Sequence, residues 1–198
     1  MPSKWQRAAY EIADGQQGYF TMAQAVAAGV PAIRLPDMLR RGVVERISRG
    51  VYRLVDYPRP AAAQLVEATL WPSSHHDDIR GVLSHESALA FHEISDVSPA
   101  HVHITLPKGL RIRRAVPKYL RIHRADLDPA DVEWHEGLPV TTAARTIRDC
   151  HEAHLGPALL RQAIEDGRQR GVLTTREADA LAEELLNAIQ AEAPTASR

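Results

Sequence analysis

Apolar positions in the first 56 residues fall in short runs punctuated by glycine. Trp5, Ala8, Ala9 and Ile12 recur at helical spacing, and Ser3 followed by Gln6 has the spacing of a capping box. This predicts a helix from about residue 4 to residue 14, stopped by Gly15. Gly18-Tyr19-Phe20 reads as a small strand or an apolar plug. Thr21 and Gln24 repeat the capping spacing, which opens a second helix over about 22–28, and Gly29 suits the left-handed position beyond its end. A third helix begins at Pro31 or Ala32 and ends at Gly42, with Leu35, Met38 and Leu39 inward and Arg34, Asp37, Arg40 and Arg41 outward. Pro36 conflicts with a helix interior and is tolerated only in a first turn, where the lost amide has no partner. It therefore shortens the third helix. Residues 43–47 and 51–54 read as strands joined by Ser48-Arg49-Gly50, with glycine available for positive φ. Two helices joined by a glycine turn and followed by a hairpin predict a winged helix-turn-helix.

Asp56-Tyr57-Pro58-Arg59-Pro60 reads as a stiff linker, which sets the expected domains at 1–56 and 57–198. Beyond it come a helix over 61–70, a polar loop Ser73-Ser74-His75-His76-Asp77-Asp78, and a helix from His85 to about Glu93 with Ser84 as its cap. Residues 101–106, 110–114 and 119–124 alternate polar and apolar, the signature of half-buried strands, here sharing a basic outer face. Residues 132–135 and 138–140, joined by Glu136-Gly137, predict one more hairpin. Helices follow from Thr142 to Cys150, over 157–170, and from the Thr174/Glu177 capping box to Ile189, leaving 192–198 as a frayed tail. The expected fold class is α+β: an N-terminal winged helix-turn-helix, then a mixed domain with an antiparallel sheet and C-terminal helices.

Charge changes this picture. The net charge of −1 conceals eight Lys/Arg against five Asp/Glu in residues 1–56, seven basic and no acidic residues in 107–124, and seven basic against fourteen acidic in 125–198. Local patches, not the chain average, decide what a polyanion meets. An apolar fraction of 44% supports a packed core. The lone Cys150 excludes a disulfide framework and reads as a small buried side chain. The N-terminal segment lacks the apolar core of a signal peptide, and no apolar run approaches the ~20 residues needed to cross a bilayer, so a soluble cytoplasmic protein is expected.

The strongest chemical signal is basic. Arginine forks fit guanine edges and phosphates, and a major groove admits one helix. The expected DNA-binding set is Arg34, Arg40 and Arg41 on the third helix and Arg46, Arg49 and Arg53 on the hairpin, joined by Thr21 and Gln24. A second basic cluster, Arg111, Arg113, Arg114, Lys118, Arg121 and Arg124, reads as a further nucleic-acid surface, a dock for an acidic partner, or a solvated sheet face. Ten histidines, including His101 and His103 on one strand face, do not make a zinc motif without converging ligands, so neither metal nor cofactor is expected. Ser84-His85-Glu86-Ser87 is not read as a triad, because capping accounts for Ser84 and adjacent helical residues do not face one another. Asp126, Asp128, Asp131 and Glu133 read as a solvated acidic loop, and no catalytic residue is expected.

Gly18-Tyr19-Phe20-Thr21, Gln24-Ala25, Ala28-Gly29-Val30, Arg41-Gly42 and Arg49-Gly50-Val51-Tyr52-Arg53 resemble the winged helix of AbiEi-type antitoxins. Leu83-Ser84-His85-Glu86-Ser87-Ala88-Leu89, His103-Ile104-Thr105-Leu106-Pro107 and Gly137-Leu138-Pro139-Val140-Thr141-Thr142, with Ala144-Arg145-Thr146 and Asp149, resemble that family's second domain. The resemblance spans about residues 15–150. It implies a repressor that binds inverted repeats in its own promoter and whose second domain counters a nucleotidyltransferase-like toxin. Pro31 and Pro36 depart from the polar residues expected in a recognition helix. Relatives with the same N-terminal unit end in a nuclease-like domain, whereas this chain ends in acidic helices, which counts against nuclease activity. The alternatives are an enzyme whose second domain modifies the toxin or cleaves nucleic acid, and a solitary transcriptional regulator.

Overall fold

The computed structural model of the chain describes residues 3–73 and 79–192, with side chains as far as Leu185. The His75-His76-Asp77-Asp78 loop, the tail from 193 and the side chain of Ile189 lie outside the described residues.

Ser3 Oγ accepts from the Gln6 amide at 3.2 Å while Gln6 Oε1 accepts from the Ser3 amide, and this box starts α1 (Lys4–Asp14). The chain continues through β1 (Tyr19–Thr21), α2 (Met22–Ala27), a 3-10 turn (Ala32–Arg34), α3 (Leu35–Arg40), β2 (Val44–Ser48) and β3 (Val51–Leu54). Pro36 falls in the first turn of α3, so the regular helix is only six residues long and the preceding turn is wound tighter. The three strands form an antiparallel sheet in the order β1-β3-β2, which makes β3 central. Phe20, Ala25, Leu35, Met38, Val44 and Leu54 pack under it with Ala9 of α1.

After the linker come α4 (Ala63–Leu70), β4 (Val82–Leu83), α5 (His85–His92), β5 (Val102–Leu106), β6 (Leu120–Arg124), a 3-10 turn (Pro129–Asp131), β7 (Val132–His135), β8 (Leu138–Thr141), α6 (Ala143–Glu152), α7 (Pro157–Gln169) and α8 (Thr175–Glu192). The five-stranded sheet runs β6-β5-β4-β8-β7. It is mixed, not antiparallel as expected: β5 pairs parallel with β6 and β4 parallel with β8. The chain is therefore α+β, with one antiparallel and one mixed sheet. A parallel pair needs a crossover of about a dozen residues or more, and residues 107–119 supply it. This is why 110–114, expected as a strand, has no ladder partner and runs as a loop.

Val102, Ile104 and Leu106 of β5 pack with Leu83, Val140, Val66 and Trp71 on the α4 side of the sheet. Full burial of each such aliphatic side chain stabilises by roughly 1.5–3 kcal/mol. The alternate positions His103 and Thr105, on the polar face of the strand, lie beneath α5 and α6. Leu89, Ile147, Cys150, Leu160, Leu181 and Leu185 form a third cluster among α5 to α8.

The apolar core runs across the linker. Tyr19 and Val51 of the first sheet belong to the same cluster as Trp71 and Leu83. The β7–β8 turn also closes onto α1: Gly137 has φ +81°, and a Cβ there would lie 2.1 Å from the Gly15 carbonyl oxygen. Glu136 shares the positive φ, which is the type I′ pattern of a two-residue hairpin.

Candidate nucleic-acid interface

The short helix after Gly29 turns Leu35 and Met38 inward and leaves the arginines on the surface. Leu35 and Met38 are buried, whereas Arg34, Arg40 and Arg41 are exposed. Asp37 sits between the last two, 3.1 Å from Arg40 Nη2 and 3.1 Å from Arg41 Nε. Arg40 is 75% and Arg41 71% exposed, and such surface pairs are worth at most ~1 kcal/mol, so a phosphate can displace the aspartate. Arg46 and Arg49 are exposed on the hairpin; Gly50 at φ +86° makes its turn, and a register shift between Arg46 and Ser48 bends β2. Ile33, 81% exposed beside Arg34, was not anticipated. The sequence signal was its place ahead of Leu35 and Met38, outside the spacing of the buried face.

Three expected contacts point elsewhere. Thr21 is fully buried; its hydroxyl accepts from the Gln24 amide at 3.1 Å and caps α2. Gln24 returns the bond to the Thr21 amide at 2.9 Å and pairs with the Gln16 amide group at 3.0 and 3.1 Å. Arg53 faces inward, its side chain 9% exposed, with Nε donating to Glu45 Oε1 at 2.6 Å and Nη1 to the Tyr57 carbonyl at 2.7 Å. The reason is the sheet order: β1 covers the flank of β3 that the sequence reading left open, so Arg53 lies between Tyr19 and Glu45. Hydrogen bonding by Arg53 holds the Glu45 carboxyl below its usual range, with help from Arg59.

The second basic cluster also divides. Arg114 is a strut: Nη1 donates to the Arg49 carbonyl at 3.2 Å, Nη2 to the Ser73 carbonyl at 3.3 Å, and the guanidinium lies 4.4 Å over the Trp71 ring. Arg124 Nη1 donates to the Leu110 carbonyl at 2.6 Å and pins the root of the crossover loop. Leu110 and Ile112 pack on the core between them. Arg111, Arg113, Lys118 and Arg121 remain exposed.

Beneath α5 and α6 the sheet carries a polar network whose origin the sequence concealed. Ser84 is the N-cap residue of α5, but its side chain does not cap; it accepts from Thr105 Oγ1 at 2.8 Å and lies 3.0 Å from His85 Nδ1. These neighbours meet because His85 has φ +53°, a left-handed conformation that also stacks its ring 3.4 Å from that of His123. Ser84 is wholly buried, so no substrate reaches its hydroxyl. Burial, then the neighbouring imidazoles, pushes His85 down to about 3 and His123 to about 4, leaving both neutral near pH 7. Asp131 belongs to a structural pair rather than a solvated loop: Arg145 bridges it and Asp149, each at 2.7 Å. Cys150 is buried, and burial pushes its thiol up. Among the described residues, no group of three or more His, Cys, Asp or Glu is arranged to hold a metal ion, and no helix is long and apolar enough to cross a membrane.

No curated protein matches the chain. One solved structure, the RV2827C protein from Mycobacterium tuberculosis, is similar at 15% identity and a TM-score of 0.44, covering 92% of this chain and 72% of that one. Residues 7–55 match the family described as "Transcriptional regulator, AbiEi antitoxin". The match takes in α1 from Arg7 onward, the short helices and the basic hairpin. Residues 7–55 are thus similar to the AbiEi antitoxin family of transcriptional regulators.

Proposed function

We propose that this chain is an antitoxin that represses its own promoter by binding inverted repeats and counters a nucleotidyltransferase-like toxin. Residues 1–56 act as a winged helix-turn-helix, with the turn and helix over 32–40 in the major groove and the β2–β3 hairpin as the wing. Residues 57–198 are the antitoxin domain and perform no catalysis. The observation that carries this reading is the outward display of Arg34, Arg40, Arg41, Arg46 and Arg49 on the segment matched by the family.

Short α3 makes this a small reader, so phosphate contacts from the arginines supply most of the affinity. Ile33 offers an apolar contact for a thymine methyl, the kind of contact that distinguishes one base edge from another. Thr21, Gln24 and Arg53 support the reader from inside and touch no DNA.

The test pairs a reporter fused to the upstream region with co-expression of the neighbouring reading frame. Repression of the reporter and stoichiometric rescue from toxicity are expected. A reporter indifferent to the protein contradicts autorepression, and rescue at catalytic amounts contradicts the non-enzymatic reading.

A further inference from the structure

Arg114 joins the two halves of the protein at the point where DNA would lie. It grips the backbone of the wing turn through the Arg49 carbonyl and stands on Trp71 of the second half. Two arginines are thereby held close, and among the described residues neither has an ion-pair partner. Burial first, and then the Arg49 charge, lowers the Arg114 pKa.

The crossover loop that carries Arg114 is built to present charge. Its residues alternate: Leu110, Ile112 and Arg114 turn towards the protein, while Arg111 and Arg113 turn outward. Lys118 is exposed on the same loop. Both ends of the arrangement are fixed, the root by Arg124 and the tip by the wing. Several arginines of the second half are ion-paired, as in Arg148–Glu184 and Arg168–Glu165. Among the described residues, no ion pair involves Arg111, Arg113 or Lys118. Parallel crossovers usually hold a helix; this one carries an ordered basic segment set against the wing.

We infer that the β5–β6 crossover loop is a second contact for the DNA backbone, continuous with the wing, so that the second half binds the same duplex as the first. This rests on the DNA-binding reading above and extends it to residues 108–118. The contact is to phosphate, because the loop offers point charges without a helix or strand to enter a groove. Charge complementarity favours DNA over an acidic protein surface, since the loop adjoins the wing's own exposed arginines.

The experiment measures binding of the full chain to a duplex from its upstream region across a salt series. The loop variant replaces Arg111, Arg113 and Lys118 with glutamine, and a companion replaces both arginines with lysine. Each lost phosphate contact lowers the magnitude of the slope of log affinity against log salt by about 0.9. Three contacts therefore make wild type lose roughly 40-fold more affinity than the glutamine variant between 50 and 200 mM salt. The lysine variant should retain the wild-type slope, because a point charge suffices at phosphate. Equal slopes for wild type and the glutamine variant overturn the inference while leaving the DNA-binding reading in place. Failure of wild type to bind overturns both. If the slope is unchanged and the glutamine variant also loses protection against the toxin, the loop is a protein dock instead.

Discussion

Replacing Arg53 with methionine separates a strut of the sheet from a ligand of DNA. The substitution removes hydrogen bonds of 2.6 Å to Glu45 and 2.7 Å to the Tyr57 carbonyl. Bonds to a charged group are worth roughly 1.5–3 kcal/mol each in net stability. That value is discounted because Glu45 is 38% exposed and keeps Arg59 at 3.3 Å. Methionine also retains part of the packing of the arginine stem. A net loss of about 2–3 kcal/mol follows, and in a chain of this size each kcal/mol lowers Tm by roughly 2–4 °C. Thermal unfolding should therefore show a fall of about 4–12 °C. DNA binding measured in the cold, where the variant is folded, should stay within about twofold of wild type, whereas Arg49→Met should weaken binding and leave Tm in place. An unchanged Tm with weakened binding in Arg53→Met would refute this account of the residue.

Two further outcomes follow from the packing. Gly137→Ala forces a side chain into φ +81° against the Gly15 carbonyl and should lower Tm by more than about 5 °C, while Gly109→Ala, with nothing within 4 Å, should change little. Equal effects of the two would contradict the close approach of the β7–β8 turn to α1. On acidification, the depressed folded-state pKa values of His85 and His123 leave their contribution to stability intact above about pH 6.5. It is lost as pH falls towards 4, by up to about 1.4 kcal/mol per pH unit for each imidazole. Asp149, raised by burial, acts in the opposite direction at carboxylate pH. Urea midpoints between pH 7.5 and 5 should fall less steeply in His123→Gln, and parallel profiles would contradict the burial argument.

Local signals were legible where they are self-contained. The Ser3/Gln6, Thr21/Gln24 and Thr174/Glu177 boxes form as their spacing predicts, because a cap involves only residues three apart. The 43–54 hairpin is legible for the same reason. Strand direction is not written in an alternating pattern, so β6 was placed in an antiparallel sheet although it lies parallel to β5. Alternation at 110–114 reflects packing of Leu110 and Ile112 under a crossover, which looks like a strand until the pairing is known. Arg53 was misplaced because its burial depends on β1, more than thirty residues earlier in the chain. Ser84 and His85 defeated a helical reading because one left-handed residue turns two neighbours towards each other.

Fluorescence anisotropy of wild type and the Arg40→Glu/Arg49→Glu variant on a duplex from the upstream promoter tests the central claim most directly. On the proposed reading each reversal removes a phosphate contact and adds a repulsive charge on a side chain that lies outside the core. The account predicts an unchanged circular dichroism spectrum and a loss of affinity of at least about 100-fold at 100 mM salt. Retention of wild-type affinity by the folded double variant would contradict it.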